Sequence, residues 1–225
     1  LVVAGNVTTE KVKALAEKWF GDIPSGEKYV GYLPQEPEQT AARKLEVKAN
    51  VPLDAFYKTW HIGSRLEPSY YSTDLMSDIM SGGGSSRLYQ SLVKEQKLFS
   101  NIECYHFGST ENGLMSIEGK LVKGVKMEDA EKAVMAEVEK IKTTLVSEQE
   151  LQKVKNKTES MIAFEDMSVM NRANSLAYYE LLGDAAWMNT ELNNYAVVTA
   201  EDIRNEACKI FREENSNTIY YLSNN

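Results

Sequence analysis

Cysteine and histidine are scarce in this chain: two of each in 225 residues, Cys104 and Cys208, His61 and His106. Two cysteines make no disulfide framework, so the redox compartment stays open. No His-x-x-His, His-x-x-Glu-His or Cys-x-x-Cys occurs, whereas a hydrolytic zinc site takes about three protein ligands, often two histidines one helical turn apart. Cys104 and His106 stand two apart on one predicted strand and share a face; a small buried hydrophobe and a partnered histidine account for them. A serine nucleophile elbow of the Gly-x-Ser-x-Gly kind is missing too, because Gly83-Gly84-Ser85-Ser86-Arg87 lacks the second glycine.

Basic excess is also lacking. Lys and Arg number 25 against 33 Asp and Glu, a formal charge of -8, which argues against nucleic acid or an anionic membrane as partner, since both need a cationic face to displace counterions. No apolar run approaches the roughly 18 residues of a membrane span. The start, Leu-Val-Val-Ala-Gly, has neither an initiator methionine nor a signal-like pattern, and reads as a piece cut from a longer protein.

What is present is an ordinary globular composition, 43% hydrophobic and 26% charged, organised around one stretch. An amphipathic run (Leu75, Met76, Ile79, Met80) meets a second (Leu88, Tyr89, Leu92, Val93) at three consecutive glycines, Gly82, Gly83 and Gly84. Such a glycine elbow permits positive φ and close approach by another chain, and also ends helices. A phosphate loop needs a following Lys-Ser/Thr, and a dinucleotide loop a third glycine where Arg87 stands, so neither is read here. Ser85 and Ser86 read as helix caps.

Along the chain, Leu1–Ala4 has strand character, and Thr8 or Thr9 caps a helix through Val12, Leu15, Ala16 and Trp19 that stops at Gly21 and Pro24. Pro24–Thr40 reads as an extended connector. Strands are predicted over Lys44–Val51 and Ala55–Ile62, a helix from Glu67-Pro68, and helices on both sides of the elbow. Phe99–Gly108 and Leu114–Leu121 follow, joined by Thr110-Glu111-Asn112-Gly113, where Asn-Gly is a hairpin signal; Glu103 and Glu118 could face one another across it, but like charges directly opposite cost stability, so solvent exposure is the reading for both. Helical stripes run through Met127–Ile141, from the Ser147/Glu150 capping box through Leu151, Val154, Thr158 and Met161, through Met170–Ala177 to a stop at Gly183, and from Thr199/Asp202 to Phe211. A strand, Thr218–Leu222, closes the chain. The order predicts one α+β domain over residues 1–225, a mainly antiparallel sheet with helices packed on one face.

These residues also carry a resemblance. Gly-Asn-Val-Thr-Thr-Glu-Lys-Val with Trp-Phe-Gly-Asp-Ile-Pro, then Leu-Met-Ser-Asp-Ile-Met-Ser-Gly-Gly-Gly-Ser-Ser-Arg-Leu-Tyr-Gln-Ser-Leu, then Val-Thr-Ala-Glu-Asp-Ile, resemble the C-terminal type domain of the pitrilysin, insulysin and mitochondrial processing peptidase family. The resemblance implies a zinc metallopeptidase of two facing halves that close around a peptide, with His-x-x-Glu-His in a preceding or partner domain and none in this chain. It also implies an arginine and a tyrosine after the elbow, in a pattern like Leu-Arg-x-x-x-Gly-Leu-x-Tyr. Leu92-Val93-Lys94-Glu95-Gln96-Lys97-Leu98-Phe99-Ser100 puts Val93 and Ser100 in those places, and neither supplies the same positioned donor. The expectation is therefore a non-catalytic, non-zinc domain whose cofactor zinc and whose partner lie elsewhere in the same family. It forms chamber wall, peptide contact and packing between halves, and is inactive alone. A structural or assembly subunit related to the processing-peptidase core proteins is the alternative. Arg87 and Tyr89 are the candidate peptide contacts; the competing reading has Tyr89 packing and Arg87 paired with a carboxylate.

Overall fold

The structure, a computed structural model, describes residues 1–27, 31, 34 and 36–224. The middle of the predicted connector Pro24–Thr40 lies outside the described residues. Contacts gather the chain into two compact units, Leu1–Glu38 with Ser160–Thr190, and Gln39–Glu159 with Glu191–Asn225.

The second unit is built on a five-stranded sheet of order β1-β5-β2-β4-β3, from β1 (Arg43–Ala49), β2 (Ala55–Ser64), β3 (Phe99–Phe107), β4 (Asn112–Leu121) and β5 (Ser216–Ser223). Only β1 and β5 run parallel; the other three pairings are antiparallel. Period-two patterning in β2 sends Phe56, Lys58, Trp60 and Ile62 to one buried face while Tyr57, Thr59 and His61 on the other stay half-buried. On the buried face lie α2 (Tyr70–Ser81), α3 (Met127–Thr143) and α7 (Ala200–Ile210), and α4 (Glu148–Glu165) begins in the same unit. Their apolar stripes are buried as spaced: Leu75, Met76, Ile79 and Met80; Ala130, Val134, Val138 and Ile141; Val154; Ile203, Ala207 and Ile210. The α+β class with helices on one face of a mainly antiparallel sheet is thus observed. Both capping boxes form: Ser147 with Glu150 (3.1 and 3.2 Å) and Thr199 with Asp202 (2.8 and 3.1 Å) open α4 and α7.

The other unit holds α1 (Thr9–Phe20), the end of α4, α5 (Val169–Leu182) and a 3₁₀ turn, Ala185–Asn189. Thr8 caps α1 by accepting the Lys11 N–H at 3.3 Å. The predicted strand Leu1–Ala4 is corrected: these residues form no strand, because a lone apolar run without a neighbouring strand closes no ladder.

Three further departures have local causes. Helix α2 starts at Tyr70, Ser69 preceding it, while Glu67 and Pro68 form the turn before. Asn112-Gly113 does not make the hairpin turn; residues 108–111 do, and both lie inside β4. A Cβ on Gly113 would stand 2.1 Å from the Phe107 carbonyl oxygen, so glycine serves close approach there. Finally, α6 (Glu191–Ala196) is too short to show a period.

Candidate functional site

Helix α2 delivers the elbow to the edge of the sheet. Its last residue, Ser81, uses one hydroxyl twice, accepting the Cys104 N–H at 2.7 Å and donating to the Cys104 carbonyl at 2.8 Å, which satisfies the backbone of edge strand β3. The Gly82 N–H closes the helix on Asp78 O at 2.6 Å, and Gly83 turns the chain with φ +117°, a conformation that favours glycine. Ser86 Oγ donates to Gly83 O at 2.6 Å. Ser85 is exposed, its hydroxyl 3.2 Å from Lys153 Nζ. Gly84 is exposed, has no positive φ, and a Cβ added there meets nothing within 4 Å; neither conformation nor crowding inside the chain calls for glycine.

Beyond the elbow the predicted α-helix is corrected to a π-helix, Tyr89–Glu95. The Gln96 N–H reaches back five residues to Ser91 O at 2.9 Å. The wider turn leaves Leu88 and Leu92 both fully buried, while Ser91 Oγ bonds the buried Glu137 of α3 at 2.6 Å. Single π-turns recur at functional sites. Val93 is half-buried on this turn. Ser100 is exposed and sits where the β3–β4 register shifts between Phe99 and Asn101, its Oγ 3.1 Å from Lys120 O. A π-turn and a β-bulge thus bracket the two positions, both devices that re-aim side chains.

Between them Lys97 takes φ 53°, the sole non-glycine residue with positive φ among the described residues, at the place where the family pattern has glycine. Lys97→Gly is expected to raise stability by about 0.5–1 kcal/mol, the left-handed penalty of about 1–2 kcal/mol being partly offset by glycine's extra freedom when unfolded. A urea titration checks this, and no gain would show that the lysine is held without strain.

Arg87 forks onto Glu150 of α4, Nε to Oε1 at 2.8 Å and Nη2 to Oε2 at 2.9 Å. That pairing, with the Ser147 cap, brings the Glu150 pKa down to about 2. Tyr89 is half-buried with Lys94 Nζ 5.4 Å from its ring centre. Arg87→Ala is expected to cost about 1–2 kcal/mol at neutral pH, the range for a partly exposed bidentate pair. A carboxylate depressed from 4.5 to about 2 contributes stability above 4.5 and loses it as pH falls through that window. The gap between wild type and variant should therefore close on acidification in parallel denaturation curves.

Burial raises the Cys104 thiol to about 12, and its Sγ rests 3.6 Å from Met115 Sδ. His106 lies 3.6 Å from Asp74 with its pKa lowered, burial first and Arg65 adding to it against the pull of Asp74. Among the described residues no three of His, Cys, Asp and Glu are placed to hold a metal ion, and no helix is long and apolar enough to cross a membrane. In the other unit a cleft of about 700 Å³ has a mixed lining, with Val12, Val169 and Leu176 beside Thr8, Lys13 and Arg172.

A polar cluster went unseen in the sequence. Glu191 of α6 receives Arg65 Nη2 at 2.5 Å and Tyr71 OH at 3.1 Å; Asn194 donates to Tyr71 OH at 2.9 Å, and Tyr195 OH to Asp74 at 2.6 Å.

A family model described as the peptidase M16 inactive domain matches residues 1–158. The chain belongs to that family. A zinc protease of Rickettsia felis is 26% identical over 97% of the chain and 52% of its own length, and the Helicobacter pylori zinc protease PqqE 22% identical over 98% and 50%. A solved protease from Helicobacter pylori superposes with TM-score 0.90 at 22% identity, covering 97% of this chain and 54% of that one. The chain therefore spans about half the length of the curated relatives it matches. The relatives named zinc proteases are about twice the length of the chain.

Proposed function

We propose that this M16 inactive domain is the non-zinc domain of a zinc metallopeptidase, forming part of the chamber wall, a peptide-contact surface at the elbow, and packing between halves. One observation carries the reading: Gly84 is an exposed glycine that the chain itself does not require, on an elbow followed by a π-turn and a bulge. An unshielded glycine backbone lets another chain lie close, and Arg87 and Tyr89 flank it. In the parent enzyme zinc would activate the water that attacks a peptide carbonyl, on residues outside this chain. Val93 and Ser100 leave the arginine and tyrosine roles to another half. The unit carrying α1 supports the packing role: α1 buries no residue, and Trp19 (67% exposed), Phe20 and Leu15 stand in solvent, more apolar surface than a lone unit usually shows.

The test uses the chain alone and the chain combined with the zinc-bearing part of its parent. Alone it should show no peptidase activity and no stoichiometric zinc by elemental analysis; one tight zinc per chain would sink the proposal. In the combined enzyme Gly84→Glu should lower kcat/KM for a peptide about tenfold through lost approach while Tm stays put. Unchanged kcat/KM would leave the elbow out of the chamber. A parent with no zinc motif in any subunit would favour the assembly-subunit reading.

A further inference from the structure

Residues Ser160–Thr190 leave the sheet unit at α4 and return to it at α6. Over that length Leu182 is the one buried side chain, while Phe164, Met167, Met170 and Leu181 are exposed, Met167 by 78%. The excursion shares its compact unit with Leu1–Glu38, yet it buries little apolar side chain, and segments of low burial open at low free energy.

Its two ends are held by polar groups inside the sheet unit. On the outgoing side Lys155 Nζ of α4 donates to the Ala196 and Val198 carbonyls at 2.7 and 2.6 Å, closing the last turn of α6 and tying the departing helix to the returning one. On the return side the Glu191 carboxylate accepts from Arg65 and Tyr71, and the Tyr195 hydroxyl donates to Asp74. Helix α6 has six residues, too few to stand alone, and its buried members are Glu191 and Tyr195. Its attachment is polar apart from the Tyr195 ring, which meets Tyr71 edge to face at 5.0 Å.

We propose that Ser160–Thr190 is a strap that opens as one cooperative segment, α6 with it, while the sheet stays folded, and that the polar clasp of Lys155, Glu191 and Tyr195 sets how often it opens. A carboxylate or ammonium hydrogen bond is directional and is lost within about an ångström of displacement, so the clasp is all-or-none where apolar packing would yield gradually. The strap carries the exposed Met and Phe side chains of α4 and α5, so the clasp controls how that surface is presented.

Hydrogen exchange read by mass spectrometry on the full chain tests this, comparing wild type with Tyr195→Phe and Lys155→Met, each of which removes clasp bonds without adding a buried charge. Peptides spanning 160–198 should exchange faster together by about ten- to a hundredfold, the factor for losing a hydrogen bond to a charged group, while peptides of β2, β4 and β5 keep their rates. A core variant, Val138→Ala, should instead speed sheet and strap alike. The proposal is overturned if the clasp variants accelerate the sheet by the same factor, if they leave 160–198 unchanged, or if the amides of 160–198 respond one by one.

Discussion

Arg65→Ala should cost about 3–5 kcal/mol of stability, the usual penalty for removing one member of a buried ion pair. The side chains of Arg65 and Glu191 are 7% and 9% exposed and meet at 2.5 Å. The guanidinium also lies over the Tyr70 ring at 4.1 Å and the Tyr71 ring at 5.3 Å, and such cation–π contacts strengthen when desolvated. Truncation strands the Glu191 carboxylate and loses both stacks. The size of the effect belongs to the stranded charge rather than to the pair itself, so the double variant Arg65→Met with Glu191→Leu should recover most of the loss. Equilibrium urea denaturation of the two variants decides it. If the double variant is as unstable as the single one, the pair is net stabilising and the cost lies in the lost bonds.

That cluster also shows where sequence reading stops. Arg65, Asp74 and Glu191 are ordinary charged residues in their own segments, and their partners are 120 or more positions away. The return of α6 against α2 and the turn after β2 brings them together, and α6 is shorter than the window in which a helical period shows. By contrast the stripes of α2, α3 and α7 were legible because burial repeats every three to four residues, and the capping boxes of α4 and α7 because both partners lie within one turn. The α+β class followed from those stripes and the alternation in β2.

The elbow was legible as a corner through its glycines, yet its detail was not. Nothing in Leu88, Leu92 and Val93 distinguishes a π-turn from an α-turn, since both bury the two leucines; the longer turn emerges from closing Gln96 on Ser91. Asn112-Gly113 misled for a related reason. Glycine answers two demands, positive φ and close approach, and at Gly113 the neighbouring Phe107 carbonyl makes it the second. Glu103 and Glu118 are register partners in β3 and β4, a pairing the longer 108–111 connection sets and a tight Asn112-Gly113 turn would not; Glu103 is exposed and Glu118 half-buried. Val93 and Ser100 were found through family resemblance alone. Their setting on a π-turn and a bulge is a matter of backbone, which residue types at these positions do not declare.

Trp60 marks the centre of the helix-covered sheet face, and Trp60→Ala is expected to lower stability by about 3–5 kcal/mol. The indole is fully buried and meets Phe211, at the end of α7, edge to face at 4.9 Å between ring centres, so truncation opens a cavity between β2 and α7. Trp60→Phe should behave differently. The indole Nε1 is buried and makes no hydrogen bond, and an unsatisfied buried donor costs about 1–3 kcal/mol. Phenylalanine removes that donor together with part of the ring volume, and the two effects oppose, leaving a net change within about 1 kcal/mol. Chemical denaturation of both variants separates packing from polarity at this position. A Trp60→Phe loss as large as that of Trp60→Ala would mean that the indole volume alone is decisive. A near-neutral Trp60→Phe beside a severe Trp60→Ala would show that the core takes an aromatic ring here and carries the N–H as an uncompensated cost.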